Sequence, residues 1–325
     1  MAARTRLVLV GLVLGLLFYG IGAARASSIE KLERQANSDF IPEVRAAASR
    51  ALTEKYVEAE FESTELEKVA KKARTDELRG AAIRALTSNF EDVKRVGSLK
   101  EAMKKAKELE KTVRKADSVE LREAASRALG IYYLAFNLNE IEGYSMEALE
   151  KKVTEAGHRG LAEAAATALE SIYPNHYSAE KLKDLIIATE NELLQKAAAG
   201  ALSIRYYSQI SPDISLEELQ EIASDESTNP WLRKAAGDAY GELARGEVPA
   251  EELKELARKG VTKEIRQGAA SAWARKLINS DLSREKLFRM ACAATGYAPE
   301  AYRSALISAL ADRIGEQYTN SGGGR

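Results

Sequence analysis

The chain has 325 residues, 45% of them hydrophobic and 30% charged, which excludes the composition of a disordered protein. Its 48 basic and 49 acidic residues give a formal net charge of −1, so the overall basic balance typical of nucleic-acid-binding proteins is absent. The 6 prolines favour a largely helical chain, and the single cysteine, Cys292, excludes an intrachain disulfide.

The first 26 residues differ from the rest of the chain. Two arginines precede Leu7–Ala23, a run without charge, and Ala24-Arg25-Ala26 then matches the small-x-small cleavage signature. This order is typical of a secretory signal peptide. An uncleaved membrane anchor at residues 7–23 is the alternative, although a spanning helix needs about 20 apolar residues. Under either interpretation we expect the chain from Ser27 onward to lie outside the cytoplasm, in the periplasm, at the cell surface or secreted.

A nine-residue pattern then recurs eight times, starting roughly every 33 to 43 residues. The copies are Val44–Leu52, Leu78–Leu86, Leu121–Leu129, Leu161–Leu169, Leu194–Leu202, Leu232–Tyr240, Ile265–Trp273 and Tyr302–Leu310. We number the positions of each copy 1 to 9. Helical spacing of the apolar residues and the length of the period predict eight two-helix units, with the pattern on the second helix of each. The array is expected to cover residues 27–318, followed by a flexible tail at residues 319–325.

The units resemble HEAT-type repeats of the short bacterial and archaeal kind, whose second helix reads D-x-x-[VL]-R-x-A-A-x-x-A-L. This resemblance covers nearly all of the chain after residue 26 and implies an all-α fold, a right-handed α-solenoid of about eight helix pairs. In that family the arginine at position 2 often pairs with an acid at the preceding turn. Six copies have this arginine: Arg45, Arg79, Arg122, Arg233, Arg266 and Arg303. Asp39, Asp76 and Asp117 are the expected partners, and the series is broken at Ala162 and Gln195.

Position 7 should point away from the apolar stripe, towards the concave surface where solenoids bind their partners. Down the array it reads Arg50, Arg84, Arg127, Thr167, Gly200, Asp238, Ser271 and Ser308. The first three residues, which we call the basic row, predict a groove for an anionic or acidic partner in the N-terminal half. The alternative interpretation is a solvated helix face whose charges pair at i, i+4 spacing.

No pattern in the sequence predicts catalysis. The two histidines, His158 and His176, supply no zinc ligand set of the usual kind, and the glycine motifs of phosphate- and dinucleotide-binding loops are absent. We therefore expect no catalytic residue, no metal and no cofactor. Some HEAT-like relatives are bilin lyases or DNA glycosylases, but the secretion signal and the net acidity argue against both activities.

The sequence thus predicts a non-enzymatic protein-binding or scaffold protein that acts outside the cytoplasm. Its partner would be a protein, with an acidic one favoured by the basic row, and not nucleic acid. Membrane contact is expected only through the N-terminal segment if that segment stays uncleaved. The alternative is a self-assembling structural subunit, because Leu306, Ile307, Leu310 and Ile314 make the last helix apolar and an apolar end could bind another copy.

Overall fold

The computed structural model describes residues 25–37, 42–90, 98–135, 144–208, 214–294 and 298–320. Within these ranges the protein is all-helical. The helices are α1 (Arg25–Ala36), α2 (Pro42–Glu58), α3 (Ser63–Lys72), α4 (Asp76–Phe90), α5 (Leu99–Lys115), α6 (Val119–Ala135), α7 (Met146–Glu155), α8 (Arg159–His176), α9 (Ala179–Ala188), α10 (Glu192–Tyr207), α11 (Leu216–Ser224), α12 (Pro230–Glu247), α13 (Ala250–Lys259), α14 (Lys263–Ile278), α15 (Arg284–Ala294) and α16 (Glu300–Asn320).

Two sequence predictions lie largely outside the described residues. The expected signal peptide or anchor at residues 1–26 is described only at Arg25 and Ala26, which begin α1. The expected tail at residues 319–325 is described only at residues 319 and 320, which end α16. None of the described helices combines the length and the hydropathy that a membrane crossing requires.

The helices form eight pairs, and each nine-residue copy lies on an even-numbered helix, as the pattern predicts. Several odd-numbered helices have a serine as their N-cap. The side chain of each of these serines accepts a hydrogen bond from the backbone N–H three residues further on; they are Ser98, Ser145, Ser178 and Ser215. Such caps satisfy donors that a helix start leaves unpaired. Local sequence therefore sets where these first helices begin.

Positions 4 and 5 of every copy are buried, and all but one of these sixteen residues are alanine or glycine. Small side chains let helix axes approach at the short end of the usual range of about 8–10 Å. Each even-numbered helix packs against the even-numbered helices before and after it, whereas the odd-numbered helices pack mainly against even-numbered ones. The second helices of neighbouring pairs therefore lie closer together than the first helices do, and each pair is tapered towards its second helix.

The tapered pairs close into a ring. The last helix, α16, packs against α2, and α15 also contacts α2 in the way that α1 contacts α4 and α13 contacts α16. An open array, in which the first and last units do not meet, would leave both ends uncovered. Because a constant rotation per unit accumulates, about 45° in each of eight units is enough to close the ring. The even-numbered helices enclose a central space, which we call the lumen.

Closure changes the environment of the last helix. Leu306, Leu310 and Ile314 of α16 are 0%, 1% and 5% exposed, and Ile307 packs against the same core. The apolar side chains of α16, which in the sequence suggested a surface for binding another copy, are therefore buried against helices of the same chain.

Candidate functional site

Position 7 of the repeat lies on the lumen side of the even-numbered helices. Gly200, Asp238 and Ser271, at position 7 of three consecutive copies, line one common cavity. On the other side of the ring, Arg50 donates a hydrogen bond to the Ser308 hydroxyl, which joins position 7 of the first copy to position 7 of the last. The lumen side therefore carries a position whose side chain changes from basic to neutral or acidic along the array.

The three arginines of the basic row have different partners. Arg84 donates from Nη2 to the hydroxyl and carbonyl oxygens of Ser49, at 2.9 and 3.2 Å, and from Nε to the Thr53 hydroxyl at 3.1 Å. It therefore joins α4 to α2. Arg127 donates to Glu123 at 2.6 Å on its own helix, and about half of each of these side chains is exposed. Arg50 and Arg127 are thus the more exposed members of the row, and Arg127 forms the i, i+4 ion pair of the alternative interpretation.

The basic row concentrates positive charge in a partly enclosed space. Burial lowers the pKa of Arg50 and of Arg84, and the charges of Arg50 and Arg127 lower the pKa of Arg84 further. A guanidinium stays protonated throughout the range in which proteins are folded, so these shifts report burial, and at Arg84 also the nearby cations, and not neutralisation. Arg50 keeps exposed surface despite this burial, as expected for a side chain that lies in a concave surface.

The other half of the lumen contains a cavity of about 280 Å³ walled by α8, α10, α12 and α14. Its carboxylates are Glu170, Asp238 and Glu242. Lys234 pairs with Asp238 at 2.5 Å, and Arg275 binds both oxygens of Glu242 at 2.5 and 2.7 Å. Among the described residues, Glu170 has neither a hydrogen bond nor an ion pair. Sequence reasoning missed Glu170, although the glycine at position 7 of the following copy, Gly200, marks the space that its carboxylate occupies.

The arginines at position 2 have a structural role that links neighbouring units. Three of them pair with a glutamate directly before position 1 of the next copy: Arg45 with Glu77 (3.2 Å), Arg79 with Glu120 (3.7 Å) and Arg233 with Glu264 (3.5 Å). Arg79 also pairs with Asp76 at 3.1 Å, the partner that the sequence predicts. These ion pairs therefore run along the array in addition to the predicted one within a unit.

Two other arginines at position 2 bind carbonyl groups. Arg122 donates to the Ala116 carbonyl at 2.5 Å, one residue before its predicted partner Asp117, and Arg266 donates to the Gly260 carbonyl at 2.7 Å. In both cases the residue before position 1 of the next copy, Gly160 or Ala301, has no carboxylate to offer. Arg303 lies half-buried on α16, and Asp39 lies outside the described residues.

The groups that sequence reasoning considered for chemistry are dispersed. His158 accepts a hydrogen bond from the Gly160 N–H at 3.2 Å and caps α8. Cys292 is half-buried on α15. Within the described ranges, no three histidine, cysteine, aspartate or glutamate side chains are grouped so that they could hold a metal ion. No protein-family model matches this chain, and neither the curated proteins nor the solved structures contain a match.

Proposed function

We propose that the protein is a non-enzymatic binding protein that acts outside the cytoplasm and holds an acidic segment of a protein partner in its lumen. The ring is, in this proposal, a closed array of HEAT-like units, an identity supported by the nine-residue pattern in all eight second helices. The location is supported by the signal-like residues 1–26.

The observation that carries the proposal is the adjacency of Arg50, Arg84 and Arg127 on three consecutive lumen helices. Burial lowers the pKa of Arg84, and the charges of Arg50 and Arg127 lower it further, so the charge of Arg84 is costly to hold. A bound anion relieves that repulsion, and a guanidinium offers carboxylates two parallel N–H donors. Low-dielectric walls around such a row also strengthen its field and attract anions from a distance.

The dimensions of the lumen restrict the partner. Eight helices packed about 9 Å apart place their axes on a circle about 23 Å across. Subtracting a helix radius of about 5 Å on each side, which includes the side chains, leaves an opening of about 13 Å. An extended segment fits this space, whereas a folded domain does not. We therefore expect the partner to present an unfolded, acidic stretch.

The test uses a fluorescein-labelled deca-glutamate peptide and fluorescence anisotropy. The double variant Arg50→Gln/Arg127→Gln leaves the hydrogen bonds of Arg84 intact and is expected to weaken peptide binding at least about tenfold. The matched control Arg159→Gln/Arg258→Gln removes the same charge from arginines that are 84% and 57% exposed and paired only with acids on their own helices.

Binding that the control pair reduces as much as the lumen pair would show non-specific electrostatics and overturn the proposal. So would the absence of binding at low ionic strength, where attraction between exposed charges is strongest. Light scattering on the same samples tests the self-assembling alternative, which requires a mass that rises with concentration.

A further inference from the structure

The cavity across the lumen from the basic row plays no part in the proposed function. Its volume of about 280 Å³ is close to the lower end of the range for small-molecule sites, about 300–1,000 Å³. It lies between four consecutive second helices, and most of its lining residues are half-buried or exposed on the lumen side of the packed core. A small organic molecule fits a space of this size, whereas a macromolecular segment does not.

One carboxylate that lines the cavity has no direct ion-pair partner. Of its three carboxylates, those of Asp238 and Glu242 form ion pairs with Lys234 and Arg275. Glu170 forms no such pair among the described residues. The charges of Lys196 and Lys234 act on it, but neither ammonium is within ion-pair distance. A carboxylate that is partly removed from water and has no direct partner attracts a cationic group.

The position of the Glu170 carboxylate is defined by a glycine. A Cβ atom added at Gly200 would overlap the Glu170 carboxyl group, so the carboxylate rests directly on the backbone of α10. Burial raises the pKa of Glu170 despite the opposing charges of Lys196 and Lys234, and the charge of Asp238 raises it further. The helix packing thus holds this carboxylate half-buried at the cavity wall.

The rest of the cavity wall consists of apolar side chains and of uncharged polar side chains. Tyr207, which is 38% exposed, and Ile204 provide an aromatic and an aliphatic surface. Ser203, Gln267 and Ser271 provide uncharged hydrogen-bonding groups. An aromatic ring beside a carboxylate attracts an ammonium through its π face as well as through charge. The lining therefore matches a cation with an apolar body better than a metal ion or an anion.

We propose that this cavity binds the protonated primary amine of a small organic molecule, with the ammonium on Glu170 and the apolar body against Tyr207. The proposal is independent of whether the basic row holds an acidic partner. Because the ligand meets one carboxylate and one ring in a cavity with preformed walls, we expect an affinity in the millimolar range or tighter for a minimal amine.

Isothermal titration calorimetry with benzylamine tests this proposal. Benzyl alcohol, which has the same body without the charge, is the matched ligand control. Glu170→Gln should weaken benzylamine binding at least about tenfold, whereas Glu180→Gln, an exposed glutamate on α9 outside the cavity, should leave it unchanged. Gly200→Ala forces the Glu170 carboxylate from its position without removing its charge and should also weaken binding, which provides a second variant if Glu170→Gln fails to fold.

Three results would overturn the proposal. They are the absence of saturable benzylamine binding by the unmodified protein, equal binding of benzyl alcohol, and unchanged benzylamine affinity in a folded Glu170→Gln variant. Neither variant touches the basic row, so failure here is distinguishable from failure of the deca-glutamate experiment.

Discussion

Arg50 and Ser308 are 258 residues apart in the chain and share a hydrogen bond across the lumen side of α2 and α16. Arg84 makes the equivalent contact one unit further on, because it reaches back from α4 to Ser49 and Thr53 on α2. The last copy therefore lies beside the first copy in the place that a preceding unit would occupy, and Arg50 contacts it there. The contact between α16 and α2 has the same form as the contacts between successive units. It differs from them because it joins the last unit to the first, which are not consecutive in the chain.

This junction leads to a crosslinking prediction. In a Cys292→Ser background, the pair Arg50→Cys/Ser308→Cys should react with a short bismaleimide to give an intramolecular crosslink, seen as a faster-migrating band on denaturing gels. The pair Arg50→Cys/Thr167→Cys places cysteines on helices that are not neighbours in the ring and should remain uncrosslinked. Equal crosslinking of the two pairs, or of neither, would contradict a closed ring.

Two glycines of α12 should respond in opposite ways to the same substitution. A Cβ atom at Gly237 would lie 2.6 Å from the backbone carbonyl oxygen of Glu264 on the next second helix, and neither atom can move away by a side-chain rotation. We expect Gly237→Ala to lower the free energy of unfolding by about 1–3 kcal/mol.

The control for that substitution lies nine residues further along the same helix. Gly246 has nothing within 4 Å of an added Cβ atom, so Gly246→Ala should raise the free energy of unfolding by about 0.5–1 kcal/mol through the better helix propensity of alanine. Urea denaturation followed by circular dichroism measures both values. A destabilisation by Gly246→Ala equal to that by Gly237→Ala would show that the close contact between helices is not the cause.

The ion pairs between units should matter more than those on the surface. Glu264 is 4% exposed and lies 3.5 Å from Arg233, a distance that allows charge attraction but is long for a hydrogen bond. Glu264→Gln should cost about 1–3 kcal/mol of unfolding free energy, because it leaves a half-buried guanidinium without its counter-charge. Arg233 keeps its bonds to the carbonyls of Glu226 and Thr228, which limits the loss.

The matched surface variant for that comparison is Glu163→Gln. Glu163 pairs with Arg159 at 2.8 Å on α8, and their side chains are 43% and 84% exposed. Exposed pairs of this kind contribute little, so the expected change is below about 0.5 kcal/mol. A double-mutant cycle that finds the same coupling energy for both pairs would refute the role of burial.

Glu170 should lower the stability of the protein in the absence of ligand, in a pH-dependent way. Its pKa is raised in the folded state because burial disfavours the charged form, whereas an unfolded glutamate titrates near about 4.3. Below that pH the side chain is neutral in both states and carries no penalty; the penalty grows as pH rises through the folded-state pKa and is complete above it.

Glu170→Gln removes this penalty. The variant should therefore melt on the order of 2 °C higher than the unmodified protein at neutral pH, and at nearly the same temperature near pH 4. Differential scanning fluorimetry across this range measures the difference. A difference that grows towards acidic pH would reverse the sign of the argument. Benzylamine at saturating concentration should reduce the neutral-pH difference, because it stabilises only the protein that binds it.

Much of the local structure was predictable because it depends on neighbours along the chain. The alanine and leucine positions of the nine-residue pattern follow helical periodicity, and so does the aromatic residue that stands four positions after five of the eight copies, at Tyr56, Phe90, Tyr133, Tyr173 and Tyr206. Tyr56, Tyr133 and Tyr173 illustrate this: each is fully buried and donates to a glutamate 23 residues earlier, on the first helix of its own unit. Predictions within one unit therefore succeeded.

The candidate sites were only half predictable. The basic row was visible because Arg50, Arg84 and Arg127 recur at one position of the repeat. Glu170 was not visible in the sequence, because it lies one residue after the end of its copy. Its role depends on its contact with Gly200 on the next second helix. The acids that pair with Arg45 and Arg233 were missed for the same reason, since the partner belongs to the following unit.

Sequence alone determined the helical pairs, their order and the buried face of each, since these depend on a period of a few residues. The tertiary structure decided that α16 meets α2 and that the lumen is consequently enclosed. That outcome depends on the rotation between successive units, which small side chains such as Gly237 permit and which a linear pattern does not encode. A slightly smaller rotation, accumulated over eight units, would have left the same helices in an open array with Arg50 and Ser308 far apart.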